Sequence, residues 1–298
     1  MNCIEHYIGR FAPSPTGPLH AGSLVAALAS WLDARAYSGK WLIRIEDVDE
    51  PRCIKGMDAM ILSQLEAFGM TSDAPVVYQS KRTSLYESAL ENLQSKNTVY
   101  RCYCSRKTVG LGIYQGACRE AIWNKPSQST WPEGQYAYRL QTSDQVTNWL
   151  DRRLGQQSQN VGTEVGDFVI KRADALFAYQ LAVVVDDLEQ GVTHIVRGED
   201  LTDNTARQIL LKNALQAIPN KACSNADLSN FHYLHVPLVR AADGEKLSKQ
   251  NGAVALDLTN PLWELNLAAT QLGLHAQQGS IGEALMAWTR QWQTIYPL

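Results

Sequence analysis

The sequence is short of several things at once. It has only five phenylalanines beside eight tryptophans and twelve tyrosines, only six histidines, and no surplus of positive charge. Its 27 Lys and Arg stand against 30 Asp and Glu, a formal net charge of −3 over 298 residues. That balance excludes a protein that holds nucleic acid mainly by bulk positive charge, although a local basic face needs only a few placed Lys and Arg. No apolar run is long enough to span a bilayer as a helix. The stretch from Met1 to Ser14 carries Glu5, His6 and Arg10 and no continuous apolar segment, so it does not read as a signal peptide. A cytoplasmic protein is the expectation. The cysteines, Cys3, Cys53, Cys102, Cys104, Cys118 and Cys223, are too few and too unevenly spread for a disulfide framework in a chain of this length. What remains is an ordinary globular composition, 45% hydrophobic and 19% charged. It is enough for one large α/β domain with an inserted or appended module. The aromatic rings are mostly those that keep a polar handle.

Tyr7–Phe11 reads as a short strand, followed by a proline- and glycine-rich turn over Ala12–Gly22. Ser23 is the expected cap of a helix running to about Tyr37, with Leu24, Leu28, Trp31 and Leu32 at helical spacing and Gly39 stopping it. Trp41–Ile45 is a second strand that ends in Glu46-Asp47, completing a βαβ unit. Helices are expected at about 56–68 and 82–95. From about 100 to 185 the pattern changes to short alternating segments, such as Tyr136–Leu140 and Asp167–Lys171, around a polar stretch from Lys125 to Gln135. This reads as an inserted α+β module. Val192–Arg197 returns to the parent fold, a helix follows near 203–217, and Phe231–Val239 is extended. Arg240–Gly252 is a polar loop, and the chain is helical from Pro261 onward. The expected plan is a first half of the catalytic domain at 1–100, an inserted module at 101–190, a second half at 191–240, and a loop with a C-terminal helical segment at 241–298.

Three constellations carry chemistry. In Pro13–Gly22 a strand-to-helix turn leaves backbone N–H groups at a helix N-terminus, where the dipole favours anions. His20 can donate to a phosphate there, and Gly22 lets a flat base approach the backbone. Alone, the pattern also fits a rigid turn with a surface histidine. In Lys246-Leu247-Ser248-Lys249-Gln250, flanked by Gly244 and Gly252, two lysines can close over a polyphosphate and neutralise charge moving onto pyrophosphate. Alone, it also fits a solvated loop. Cys102, Cys104 and Cys118 are soft ligands suited to Zn²⁺, but a tetrahedral site needs a fourth ligand. No histidine lies between 21 and 193 to supply it locally. Three reduced structural cysteines without a metal are the competing reading.

Taken together and in order, the first two segments resemble the paired nucleotide-binding signatures of class I aminoacyl-tRNA synthetases. Arg10-Phe11-Ala12-Pro13-Ser14-Pro15-Thr16-Gly17, Arg44-Ile45-Glu46-Asp47 and Val196-Arg197-Gly198-Glu199-Asp200 resemble the glutamyl and glutaminyl branch. The closest resemblance is to the glutamyl-Q tRNA(Asp) synthetases, short paralogues of glutamyl-tRNA synthetase. Leu247 stands where the family's lysine loop often has Met, and Gln250 where it ends in Ser; neither change removes a lysine.

The resemblance implies a Rossmann-like parallel sheet, an inserted zinc-bearing α+β module and a C-terminal helical segment. It implies glutamate contacts from Arg10, Phe11, Ala12, Pro13, Ser14, Glu46, Tyr179 and Arg197. ATP contacts would come from His20, Gly22 and Lys249, with His20, Lys246 and Lys249 serving the chemistry and Mg²⁺ accompanying ATP. One structural Zn²⁺ would be held by Cys102, Cys104, Tyr114 and Cys118, the phenol being the least usual of the four. Glutamate would be activated without tRNA and passed to the queuosine base at the wobble position of tRNA(Asp), by a monomer with no membrane partner. Because the chain reaches Leu298 soon after the lysine loop, an anticodon-binding domain is not expected. Arg101, Arg106, Lys107, Arg152, Arg153, Lys171 and Arg172 are candidates to meet RNA phosphates, though each also reads as a solvated surface charge. The alternatives are a truncated glutamyl-tRNA synthetase that charges a tRNA 3′ end, and an inactive paralogue that binds tRNA or amino acid.

Overall fold

The computed structural model describes residues 7–110, 112–114, 116–121, 135–216, 231–239 and 256–298. The lysine loop with Lys246 and Lys249, the Arg106 side chain, Cys3, Cys223 and residues 125–134 of the polar stretch lie outside the described residues.

Strand β1 (Ile8–Phe11), helix α1 (Ala21–Ala36) and strand β2 (Lys40–Ile45) form the expected βαβ unit, with β1 and β2 parallel and Phe11 opposite Ile43. Every residue of β2 after Lys40 is buried, the near-continuous apolar run of a parallel strand covered on both faces. The cap of α1 differs from the sequence expectation. His20, not Ser23, is the N-cap: its Nδ1 accepts the Ser23 backbone N–H at 3.3 Å, while Ser23 Oγ accepts the His20 N–H at 2.7 Å. An unprotonated imidazole nitrogen is as good an acceptor as a hydroxyl, and Ser23 takes the reciprocal third position of a capping box.

The chain continues through α2 (Met57–Ala67), β3 (Val77–Tyr78), α3 (Thr83–Ser95), β4 (Val99–Cys102), α4 (Arg106–Val109) and β5 (Ala137–Leu140). Next come β6 (Val146–Asp151), β7 (Gly155–Asn160), α5 (Val161–Glu164), β8 (Phe168–Lys171), α6 (Tyr179–Glu189) and β9 (His194–Gly198). The last elements are α7 (Thr202–Gln216), β10 (His232–Val236), α8 (Pro261–Gln271) and α9 (Ile281–Ile295). Helices α2, α3 and α7 are those expected from periodicity. The main sheet has the order β3-β2-β1-β9-β10-β6-β7, and every neighbouring pair is parallel except β6 with β7. Strands β4, β5 and β8 form a separate antiparallel sheet. Thus the α/β class with a mostly parallel sheet is what the chain adopts.

Alternation along the strands feeds two cores. Trp41, Ile43, Ile45, Val196, Leu234 and Val236 face α1, α2, α8 and α9. Ile195 and Tyr233 face the opposite side, against α3, α6 and α7. From β1 the chain turns first to β2 on one side and much later places β9 on the other. A crevice at such a switch point, beyond the carboxyl ends of the strands, is where ligands enter open α/β sheets. No described helix is long and apolar enough to cross a membrane.

At the other end of the sheet, Asp33 of α1 is fully buried and satisfies four donors. It accepts the Tyr7 hydroxyl at 2.5 Å, Arg152 Nη1 and Nη2 at 2.7 and 2.9 Å, and Trp292 Nε1 at 2.7 Å. One carboxylate therefore ties α1 to the end of β6 and to α9. Removing it leaves the largely buried Arg152 guanidinium without its carboxylate and takes the acceptor from Tyr7 and Trp292, so Asp33→Ala is expected to lower the unfolding free energy by about 3–5 kcal/mol in a urea titration.

Candidate active site

The cleft at the switch point has a volume of about 470 Å³. Arg10 and Phe11 close β1, Ala12, Pro13 and Ser14 follow it, and Glu46 follows β2; all line the cleft. The walls also contain His20, Gly22 and Ser23 at the start of α1, Tyr179 as the first residue of α6, and Arg197 of β9. Every described residue expected to contact glutamate or ATP is thereby brought into one cavity. Val236, Pro237, Leu238 and Val239 complete it. This apolar wall was not anticipated, and its only signal is the apolar run after His235.

The capping geometry gives His20 a defined polarity. With Nδ1 accepting from the Ser23 N–H, a neutral ring carries its proton on Nε2, a donor suited to an anionic oxygen. The N-terminal turn of α1 adds its dipole in the same cleft.

Arg10 is not an open fork. Its Nε and Nη2 donate to Asp187 Oδ1 and Oδ2 at 3.1 and 3.2 Å, and the side chain is buried. Asp187 Oδ1 also lies 2.8 Å from Nη2 of Arg44, which is wholly buried. Burial resists ionisation of Asp187, but Arg10 and Arg44 overcome it and hold the carboxyl below its ordinary range. Asp186, next to it, accepts from Gln79 Nε2, Arg82 Nε and the Tyr86 hydroxyl at 2.7, 2.7 and 2.8 Å. Sequence reasoning missed both aspartates. Their signal was available: consecutive carboxylates inside the apolar run Leu181–Leu188 must meet cations, and Arg10 and Arg44 are the arginines of β1 and β2.

Glu46 is the opposite case. Its Oε1 is buried without a hydrogen-bond partner among the described residues, and Arg44 Nη2 stands 3.8 Å away. Burial pushes its pKa up to about 7, against the opposing pull of Arg44 and Arg10. A buried acceptor beside open space is arranged to take a donor from a ligand.

Arg197 is buried and held by three neutral acceptors. Nε donates to His235 Nε2 at 3.0 Å, Nη1 to Gln208 Oε1 at 2.7 Å and Nη2 to Thr205 Oγ1 at 2.8 Å.

The basic residues considered for RNA have mostly intramolecular roles. Arg152 is turned inward onto Asp33, correcting its reading as a solvated charge. Arg153 pairs with Glu199 and donates to the His235 carbonyl, and Arg172 pairs with Asp49 and Asp174. Arg101 lies over the Tyr136 ring at 4.7 Å, and Lys171 over Phe177 at 4.6 Å.

A second constellation lies where β4 ends. The sulfurs of Cys102, Cys104 and Cys118 are all within 4.8 Å of one another, and those of Cys104 and Cys118 are 3.6 Å apart. Ligand sulfurs of a tetrahedral thiolate site stand roughly 3.8 Å apart, so the trio fits a metal. The Tyr114 hydroxyl sits 3.2 Å from Cys102 Sγ and 3.7 Å from Cys104 Sγ, and it accepts the Cys118 N–H at 3.0 Å. Burial pushes the Cys104 thiol up to about 11 and the Tyr114 phenol well above its ordinary value. A bound cation must therefore displace protons. Gly166 (φ +76°) closes this corner: a Cβ there would lie 2.3 Å from the Tyr114 carbonyl oxygen, so only glycine allows the approach.

A parallel sheet with an anion-binding helix start and a charged pocket at its switch point agrees with what sequence comparison finds. The family of class I tRNA synthetases (E and Q), catalytic domain, matches residues 8–261, and the chain belongs to it. A glutamate tRNA ligase from Elizabethkingia meningosepticum, solved in complex with its amino acid, superposes with a TM-score of 0.68 at 28% identity. The match covers 83% of this chain and 53% of that one, so this chain spans about half the length of that solved relative. Curated relatives are closer in sequence and length. A glutamyl-Q tRNA(Asp) synthetase of Albidiferax ferrireducens is 50% identical, covering 97% of this chain and 99% of the relative. One of Leptothrix cholodnii is 48% identical, covering 97% and 98%. Within the class, the chain falls in the glutamyl-Q tRNA(Asp) synthetase family.

The state of Glu46 has a measurable consequence. Its folded pKa lies above the unfolded one, so its contribution to stability is complete below the ordinary carboxylate pKa and is lost as pH rises through about 7. Gln mimics the protonated acid. Glu46→Gln is therefore expected to match the parent near pH 4 and to exceed it by roughly 3 kcal/mol above pH 8, measured by denaturant unfolding across that range.

Proposed function

We propose that the chain is an ATP-dependent ligase that activates L-glutamate without tRNA and transfers it to the queuosine base at the wobble position of tRNA(Asp). The observation that carries this is Glu46. A carboxylate whose buried Oε1 has no hydrogen-bond partner among the described residues shares a cleft with two buried guanidiniums and a helix N-terminus. A substrate with one ammonium, two carboxylates and a triphosphate partner meets that inventory. Relatives named glutamyl-Q tRNA(Asp) synthetase support the choice of substrate.

In this reading Glu46 takes the ammonium, Arg10 and Arg197 take carboxylate oxygens, and Tyr179 borders the amino acid. Phe11, Ala12, Pro13 and Ser14 form its wall. ATP lies against Gly22 with phosphates at His20, and Lys246 and Lys249 close over them. Mg²⁺, when bound, adds charge neutralisation at the phosphates. The glutamate α-carboxylate oxygen attacks the α-phosphorus, the bond to the bridging oxygen breaks, and pyrophosphate leaves. No general base is needed, because the nucleophile is already ionised; positioning and charge stabilisation carry the step. In the second step a queuosine hydroxyl attacks the adenylate carbonyl, its proton is lost, an ester forms and AMP leaves.

Cys102, Cys104, Cys118 and Tyr114 would hold one structural Zn²⁺, which supplies a staple for the 101–190 module rather than catalysis. A monomer acting in the cytoplasm completes the reading.

Incubation with ATP, glutamate and radiolabelled pyrophosphate is expected to give glutamate-dependent exchange into ATP without RNA, and radiolabelled glutamate is expected to label tRNA(Asp) only when it carries queuosine. Label at the 3′ end of tRNA(Glu), with none on queuosine-containing tRNA(Asp), would sink the proposal. Elemental analysis of the purified chain should find about one zinc per chain, as expected for a closed thiolate site. Cys104→Ser should remove it and lower the Tm.

A further inference from the structure

Three buried arginines surround the cleft floor, but their charges are not equally available. Arg10 and Arg44 share the Asp187 carboxylate. Arg197 has no carboxylate partner among the described residues; His235, Gln208 and Thr205 are all neutral acceptors. Those contacts use three of the five guanidinium N–H groups. The nearest acid in this chain of contacts is one ring further away. His235 Nδ1 is 2.6 Å from Asp151 Oδ2, and both side chains are fully buried. Asp151 is itself fixed by backbone donors. Its Oδ1 accepts the N–H groups of Arg153 and Leu154 at 3.0 and 2.9 Å, and its Oδ2 accepts the His235 N–H at 3.0 Å.

We infer that Asp151 and His235 are positioning residues for Arg197, a relay that orients the guanidinium without neutralising it and so sets recognition of the substrate's side-chain carboxylate. The inference rests on the reading of the cleft as a glutamate site. Arg197 Nε can donate to His235 Nε2 only if that nitrogen carries a lone pair. Asp151 enforces this by accepting the proton held on Nδ1. Burial and Arg197 both depress the His235 pKa, so the ring stays neutral although Asp151 pulls the other way. A carboxylate in direct contact, as Asp187 is with Arg10, would compete with the substrate. The interposed imidazole keeps that charge at a distance. Asp151 belongs to β6 and His235 to β10, and the two strands pair at Tyr233 opposite Asp151. The hairpin of β6 and β7 thereby acquires a role in amino-acid selection although it contributes no residue to the cleft wall.

Asp151→Asn is isosteric and tests the relay. Every group around Asp151 donates, so an amide N–H₂ must face a donor. Turned toward the ring, it drives the His235 proton onto Nε2, which then confronts the Arg197 N–H. In pyrophosphate exchange the KM for glutamate is expected to rise about 10- to 100-fold, the loss of one hydrogen bond to a charged group. The KM for ATP should stay unchanged, and discrimination against glutamine should fall. His235→Gln, which keeps an acceptor for Arg197, should retain more of the wild-type KM than His235→Leu. ¹⁵N NMR of the unmutated protein should find His235 protonated on Nδ1 alone at neutral pH. An Nε2-protonated ring or an imidazolium overturns the relay, even if the variants fail to fold. So does a fall in kcat with the KM for glutamate unmoved, which marks a structural role. Absence of glutamate-dependent exchange in the wild type defeats the underlying reading instead, and the tautomer measurement still decides the relay.

Discussion

The Asp187 carboxylate, shared by Arg10 and Arg44 beneath the first two strands, is the interaction on which the cleft depends. Two guanidiniums side by side in a dry interior repel each other and lose their hydration. The arrangement holds because α6 brings acids to meet them: Asp187 between the pair, and Asp186 tied to Arg82, Gln79 and Tyr86 from the α3 side. The same helix begins at Tyr179. Clamping its C-terminal turn to the sheet therefore fixes the height at which its first side chain enters the cavity. Charge pairing below the floor sets geometry above it.

The floor also sorts polar groups by what they have left to give. Asp187 spends its charge internally, Arg10 keeps only part of its fork, and Arg197 retains its positive charge. Glu46 holds an acceptor that nothing in the described chain uses. Such unsatisfied groups cost stability in the empty protein and are repaid only by a ligand with complementary chemistry.

Much of this was legible in the sequence. The βαβ opening followed from the turn residues of Ala12–Gly22 and from two short apolar runs. The cleft residues Arg10, His20, Glu46 and Arg197 came from ordered motifs, because motifs record positions that must converge, and Tyr179 came only from the family resemblance. The supporting layer was not legible. Asp187, Asp151 and His235 act through other side chains, and their partners lie 177, 84 and 38 residues away. No local periodicity encodes such pairings. The His20 cap was missed for a different reason: the usual cap preferences rank hydroxyl and carboxamide side chains, and Ser23 stood three residues away as a plausible decoy. Arg152 looked like surface charge because nothing nearby in sequence marks Asp33 as a buried acid. Residues 101–190 read as a single inserted α+β module, and nothing in the short alternating segments showed that their strands serve two sheets, β4, β5 and β8 in one and β6 and β7 in the other.

The place of β1 between β2 and β9 has a consequence for synthesis. Ile8 donates its backbone N–H to Thr193, 185 residues further on. At roughly 5–20 residues per second on the ribosome, β1 waits on the order of ten to forty seconds for the strand that completes it. Throughout that interval one side of a buried strand offers unpaired N–H and C=O groups, next to a half-built apolar face. Until β9 arrives, that unpaired edge is a template on which another chain can add a strand. A core built from non-local pairings folds slowly for the same reason.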